Sequence, residues 1–154
     1  MEPASKREDG WLLCRIGSGL CALPLDTVVE IMRPLPVEPV ASPPVFVRGL
    51  SVIRGEPVPV IDLSLLLGGA AVEPTRLVLI ALGARKIALA VEAVRGVRPA
   101  DPARIKDLPP LLRDATGEAI AAVGTLDAEL LLVLQSGRLV PESVLQRIVP
   151  EPAS

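Results

Sequence analysis

Apolar positions along the chain fall in short runs closed by glycine and proline, with the period of strands more often than of helices. Residues 11–16 and 20–25 flank Gly17-Ser18-Gly19 and predict a hairpin. Asp26 is placed to cap one helical turn carrying Val28, Val29, Ile31 and Met32. Pro34, Pro36 and Pro39 then stop that turn and impose extended chain. Residues 46–53 form the next apolar run, followed by an Arg54-Gly55 turn and residues 57–61. Pro57 and Pro59 alternate there with Val58 and Val60, and a proline offers no ladder donor, so this strand is expected at an edge or a bulge. Asp62 reads as the N-cap of a short helix over 63–67, closed by Gly68 and Gly69. Residues 70–76, with Glu73, Pro74 and Thr75, read as an internal joint.

The pattern then partly repeats. Residues 76–82 and 86–91 flank Gly83-Ala84 as a second hairpin, followed by a valine-rich turn from Val94 to Val97. A short proline-started helix is expected over 101–108 and a loop over 111–118. Residues 120–126 and 129–134 make a third hairpin around Asp127-Ala128. Pro141 opens a terminal amphipathic helix with Val144, Leu145 and Ile148 on one face. Six or more short strands in two similar halves, with few helices, predict a mainly β protein built from small barrels.

Composition narrows the functions such a fold could serve. The 154 residues suit one domain, and half are hydrophobic. Trp11 and Phe46 are the only aromatic residues, so the core must be aliphatic. There is no His and no Tyr, which removes imidazole bases, His ligands and a phosphoacceptor His together. The formal net charge of −2 comes without a basic stripe or stacking aromatics, so no nucleic-acid partner is expected. Two Cys without His cannot form a four-ligand zinc site, and no metal or cofactor is expected. Residues 1–10 are charged and polar with no apolar segment after them, so no signal peptide is read. A charge-free apolar run such as 63–72 is well short of the ~20 residues of a spanning helix. A cytoplasmic protein without membrane insertion is the expectation. Cys14 and Cys21 face each other if the first turn has two residues and lie on different faces if it has three. Either way they read as small buried hydrophobes.

No catalytic constellation is found. Phosphate-loop and dinucleotide fingerprints are missing, and no serine has a His or a Ser-x-x-Lys partner to activate it. Asp62 has a role as a cap and Asp127 as a turn residue, so neither reads as half of a carboxylate pair. Arg54, at a hairpin tip between two apolar runs, is either a solvated turn residue or a guanidinium presented to a partner carboxylate or carbonyl. Spacing alone leaves both readings open.

Several segments together resemble one family. Residues 21–33 (CALPLDTVVEIMR) look like the ALPVxxVxEIxR segment of the CheW family, and residues 43–55 (PPVFVRGLSVIRG) like its PPFVxGVINLRG segment. Residues 57–63 (PVPVIDL) are similar to VVPVIDL, and residues 89–97 (LAVEAVRGV) to LLVDxVxGV. Residues 108–112 (LPPLL) and 120–126 (IAAVGTL) resemble the family's later LPPLL and GVAxL stretches. The matches run in order over residues 11–148.

The resemblance implies two small five-stranded, SH3-like barrels around a shared hydrophobic centre, and no catalysis. It implies a single domain over 10–149, with a first lobe at about 11–72, a second at about 76–140 and a C-terminal helix at about 141–149. Residues 1–9 and 150–154 are expected to fray. CheW-like proteins are adaptors between the cytoplasmic tips of chemoreceptors and the regulatory domain of a CheA-type histidine kinase, so both become the implied partners, at receptor arrays. The implied partner-facing residues are Val28, Glu30, Ile31, Gly49, Arg54, Val91 and Val94, with Glu30 and Arg54 giving polar orientation and the aliphatics burial. The chain departs from the family pattern at Val52 (Asn expected), Glu92 (Asp expected), Gln135 (Asp expected) and in a shortened joint at 68–76. Loss of the Asn removes side-chain hydrogen bonds beside the Arg54 turn. These departures admit an alternative: a modulator that binds the receptor but not the kinase. A small-molecule or nucleic-acid barrel would instead need a polar pocket, for which the aliphatic sequence gives no sign.

Overall fold

A computed structural model describes residues 10–17, 19–99, 105–107, 120–126, 129–134 and 139–148. Strands β1 (Gly10–Ile16) and β2 (Gly19–Pro24) form the first hairpin. Ile16 pairs with Gly19, so the turn has two residues and Cys14 lies directly opposite Cys21. Gly17 takes φ +72°, the left-handed geometry such a turn demands. Both thiols are free and buried. Burial pushes the Cys14 thiol up to about 12; burial also raises Cys21, with Cys14 as a second contributor.

The chain then departs from the expected helical turn. Leu25–Thr27 is a single 3-10 turn entered from Pro24, and the Thr27 hydroxyl closes it by donating to the Pro24 carbonyl at 2.8 Å. Val28, Val29, Ile31 and Met32 belong to strand β3 (Val28–Met32), and Asp26 caps no helix. Three of those four residues are β-branched, and antiparallel pairing with a later strand outweighs one turn of helix.

Strands β4 (Val47–Ile53) and β5 (Glu56–Asp62) are joined by the expected Arg54-Gly55 turn. Helix α1 (Leu63–Leu66) follows, its first turn capped by the Asp62 carboxylate, which accepts from the Leu65 amide at 3.0 Å. Strands β6 (Arg76–Leu82) and β7 (Arg85–Val91) form the second hairpin. The predicted turn at Val94–Val97 is instead strand β8 (Ala93–Pro99), and within the expected helix at 101–108 the described residues form strand β9 (Ile105–Asp107). The rest of that helix and the loop at 111–118 lie outside the described residues. Strands β10 (Ile120–Leu126) and β11 (Glu129–Leu134) form the third hairpin, and helix α2 (Glu142–Ile148) follows Pro141.

The strands make two sheets, ordered β8-β1-β2-β11-β10-β9 and β3-β6-β7-β5-β4. Their division does not fall at the joint near residues 70–76, which only links β5 and α1 to β6 within one sheet. Each lobe takes strands from both halves, and the chain crosses between sheets at residues 24–28 and again at residue 92. Neither is β5 an edge strand: it lies between β4 and β7. Its prolines are accommodated because β7 pairs only with Val60, Ile61 and Asp62, so Pro57 and Pro59 face a single neighbour, β4. The bulge belongs to β4, where Arg48 is the extra residue between Val47 and Gly49.

Central strands are apolar on both faces because both are covered. Trp11, Leu13, Leu20, Ala22, Leu126, Leu131 and Val133 fill one lobe; Ile53, Val58, Val60, Leu77, Leu79, Ala88 and Ala90 fill the other. The opposite faces of the same strands meet between the lobes, where Leu12, Cys14, Leu23, Ile61, Ile80 and Leu89 form part of a shared core. Leu145 of α2 is buried in that core, with Val144 and Ile148 packed against it. This is the two-lobed, mainly β fold that the sequence implies.

Candidate partner-binding surface

β4 ends in a hairpin tip whose Arg54 takes φ +54°. From there the guanidinium reaches back to Glu30 on β3. Nε donates to Oε1 at 3.1 Å, and one terminal nitrogen donates to Oε1 at 2.9 Å and to Oε2 at 2.8 Å. This two-toothed fork fixes direction as well as distance. The Arg54 side chain nonetheless keeps 74% of its surface in solvent, against 33% for Glu30. Beside the pair, Ile31 and Val29 are exposed, and Val52 on β4 is 70% exposed. Val29 is the bulged residue of β3, between Val28, which pairs with Ile80, and Glu30, which pairs with Leu79. The strands that hold the ion pair thus also carry aliphatic side chains that stand in solvent rather than in the core.

The other residues expected on this face divide. Val28 and Val94 are half-buried and pack against the shared core from the first strand after each crossing. Val91 is fully buried in that core and presents no side chain to a partner. Gly49 is buried too, and its role is close approach: a Cβ there would lie 2.2 Å from the Glu38 carbonyl oxygen, at φ +144°. Glu38 and Leu50 exchange backbone hydrogen bonds at 2.7 and 2.8 Å, and the Ser51 hydroxyl donates to the Pro36 carbonyl at 2.7 Å. The proline-rich segment is thereby laid along β4, with Leu35 and Val37 packed against the lobe interior. Gly49 supports the surface from below.

Sequence reasoning missed two features. Val29 was hidden by the helical reading of 28–32; read as a strand, Val29 and Ile31 share a face. Arg48, extruded by the β4 bulge, donates to the fully buried Asp62 carboxylate at 2.9 Å and to the Val72 carbonyl at 3.0 Å. Asp62 therefore serves a cation and a helix cap at once, which no local motif announces. Gln135 lies outside the described residues. Among the described residues no cluster of three or more His, Cys, Asp or Glu is placed to hold a metal ion, and no helix is long and apolar enough to cross a membrane.

Two interlocked β lobes in one chain, with few helices, define the fold class. Comparison with known proteins agrees. The family described as "CheW-like domain" matches residues 10–144. Protein FrzA of Myxococcus xanthus is 31% identical over 122 residues, covering 77% of this chain and 76% of that protein. The crystal structure of the scaffolding protein TtCheW from Thermoanaerobacter tengcongensis superimposes with a TM-score of 0.76 at 21% identity, covering 89% of this chain and 95% of that one. The chain belongs to the CheW-like domain family, whose place is that of a scaffold in chemotaxis-type signalling.

Proposed function

We propose that this protein is a non-enzymatic adaptor linking the cytoplasmic tip of a chemoreceptor to the regulatory domain of a CheA-type histidine kinase in the cytoplasm. The observation that carries the receptor half is the Glu30–Arg54 fork, on strands that also expose Val29, Ile31 and Val52. A receptor tip is helical, and an amphipathic helix docks by laying aliphatic side chains on such a face while a polar group sets its register. Val28, Glu30, Ile31, Arg54 and Val94 form the receptor-facing set; Gly49 and Val91 act beneath it. Val52, where the family resemblance has Asn, leaves an apolar side chain at 70% exposure beside the hairpin tip. That favours a second reading, in which the protein holds the receptor without the kinase and tunes the array.

Titration of the full chain against a receptor tip fragment and the kinase regulatory domain, separately and together, decides between them. A ternary complex supports the linking adaptor. Binding to the receptor alone supports the modulator, and binding to neither refutes both.

A further inference from the structure

The second crossing between lobes is made by one residue. β7 ends at Val91 and β8 begins at Ala93, so Glu92 alone spans the sheets. Its amide donates to the Arg15 carbonyl on β1 at 3.0 Å, and its own carbonyl accepts from the Thr75 hydroxyl at 2.6 Å. The Thr75 amide also donates to the Val91 carbonyl at 3.1 Å. The Glu92 carboxylate meanwhile turns back to the first hairpin, where Oε1 accepts from the Gly17 amide at 2.8 Å. That amide belongs to a tight turn and lies at the end of the strand on which β8 starts, with Arg15 opposite Ala93 and Cys14 opposite Val94. Arg15 extends the cluster, its guanidinium donating to the Gly17 carbonyl at 3.4 Å and pairing with Glu129 at 2.7 Å. Asp26, which stands at the corresponding place in the first crossing, is exposed.

We infer that Glu92 is a positioning residue: its carboxylate, by accepting from the Gly17 amide, holds the end of β1 against the crossing and so sets the start of β8, including Val94, for the partner. Substituting Glu92 removes this side-chain bond while leaving the main-chain bonds of the junction in place. Its effect is modest because the Gly17 turn is exposed and water can replace the lost acceptor. The binding consequence rests on the receptor-facing surface proposed above; the effect on the turn does not.

The test compares Glu92→Ala and Glu92→Gln in the full chain by three measurements: Gly17 amide hydrogen exchange, thermal melting, and affinity for a receptor tip fragment. Glu92→Ala is expected to speed Gly17 exchange about tenfold and weaken binding about three- to tenfold, with the melting temperature within ~3 °C of wild type. Glu92→Gln keeps a carbonyl acceptor and is expected to match wild type on every count. Unchanged Gly17 exchange in Glu92→Ala overturns the inference, as does a Gln variant as impaired as the Ala variant. Wild-type affinity in Glu92→Ala, where Ile31→Ser and Arg54→Ala both weaken binding, also overturns it. If Ile31→Ser and Arg54→Ala themselves bind normally, the surface reading fails, and the Gly17 exchange rate alone decides Glu92.

Discussion

Truncating Arg54 separates a partner-binding role from a structural one, because the geometry assigns the two roles different sizes. Within the fold, Arg54 contributes its fork to Glu30, and three-quarters of its side chain is already in solvent. Exposed ion pairs contribute about 0.2–1 kcal/mol to stability, and the two-toothed geometry puts this one toward the upper end. In a chain of this size ~1 kcal/mol moves the melting temperature by about 2–4 °C. The left-handed backbone at position 54 stays equally strained in Arg54→Ala, so it adds nothing to the difference. Arg54→Gly relieves that strain and is expected to melt above the Ala variant while lacking the same side chain.

Binding behaves differently, since a guanidinium held in place and then desolvated by a partner exchanges charge-assisted contacts. Losing it costs about 1–3 kcal/mol, roughly a 5- to 150-fold rise in Kd for the receptor tip. Isothermal titration beside thermal melting reads both quantities, and a Glu30→Ala, Arg54→Ala double-mutant cycle apportions them. If Glu30 serves only to aim Arg54, the double variant binds no worse than Arg54→Ala alone. A melting drop far beyond 4 °C in both Arg54 variants, or undiminished affinity in either, would refute the reasoning.

Three further outcomes test the support beneath the surface. Gly49→Ala places a Cβ against the Glu38 carbonyl and is expected to destabilise by on the order of 3 kcal/mol; denaturant titration checks the loss, and faster proteolysis in the proline-rich segment should accompany it. Arg48→Met strands the buried Asp62 carboxylate with only the Leu65 amide and should cost ~2–3 kcal/mol, less than for a fully buried pair because Arg48 is about a third exposed; adding Asp62→Asn should recover part of that loss in urea unfolding. Cys14 has its thiol raised from the ordinary 9.0 to about 12, so the unfolded chain loses that proton first as pH rises. The thiol's contribution is therefore whole below pH 9 and declines toward pH 12, by up to ~1.4 kcal/mol per pH unit, and a thiol reagent at pH 8 should label the folded protein only as fast as it opens.

Much of this architecture can be read from residues because local chemistry and global fold agree at the turns. Gly17, Gly83, the Arg54-Gly55 pair and the Asp62 cap each mark a reversal that the structure makes. The strands after the crossings were obscured for one shared reason. Residues 28–32 and 93–99 are held by partners more than forty positions away, β6 and β1, and a short β-branched run does not announce that pairing. The candidate surface was half legible. Glu30 and Arg54 stand out as charges among aliphatics, yet only tertiary structure shows them bonded to each other. Val91 cannot be told by pattern from an exposed strand valine, since both of its sheet's faces are covered. Arg48 escaped because a bulge, not a motif, turns it toward Asp62.

The two halves are related more deeply than by hairpin count. Aligning the Gly17 and Gly83 turns sets Ala22, Leu23, Asp26, Val28 and Val29 against Ala88, Leu89, Glu92, Val94 and Arg95. Under that alignment β3 pairs with β6 as β8 pairs with β1, and both ladders are bulged at the matching residue, Val29 in one and Arg95 in the other. The later hairpins correspond as well. Bulges fall between Val47 and Gly49 and between Ile120 and Ala122, and Val60 lies beside Ala88 as Val133 lies beside Ala22. Each half therefore lends its first hairpin to the other's sheet, and neither sheet is complete without both. The bulge positions also show how one plan supports unlike surfaces: an exposed Val29 beside an acidic residue in one lobe, an exposed Arg95 beside Gly96 in the other. Substitution at equivalent exposed positions thus gives the two lobes unlike surfaces, while the interlocked core holds them in one arrangement.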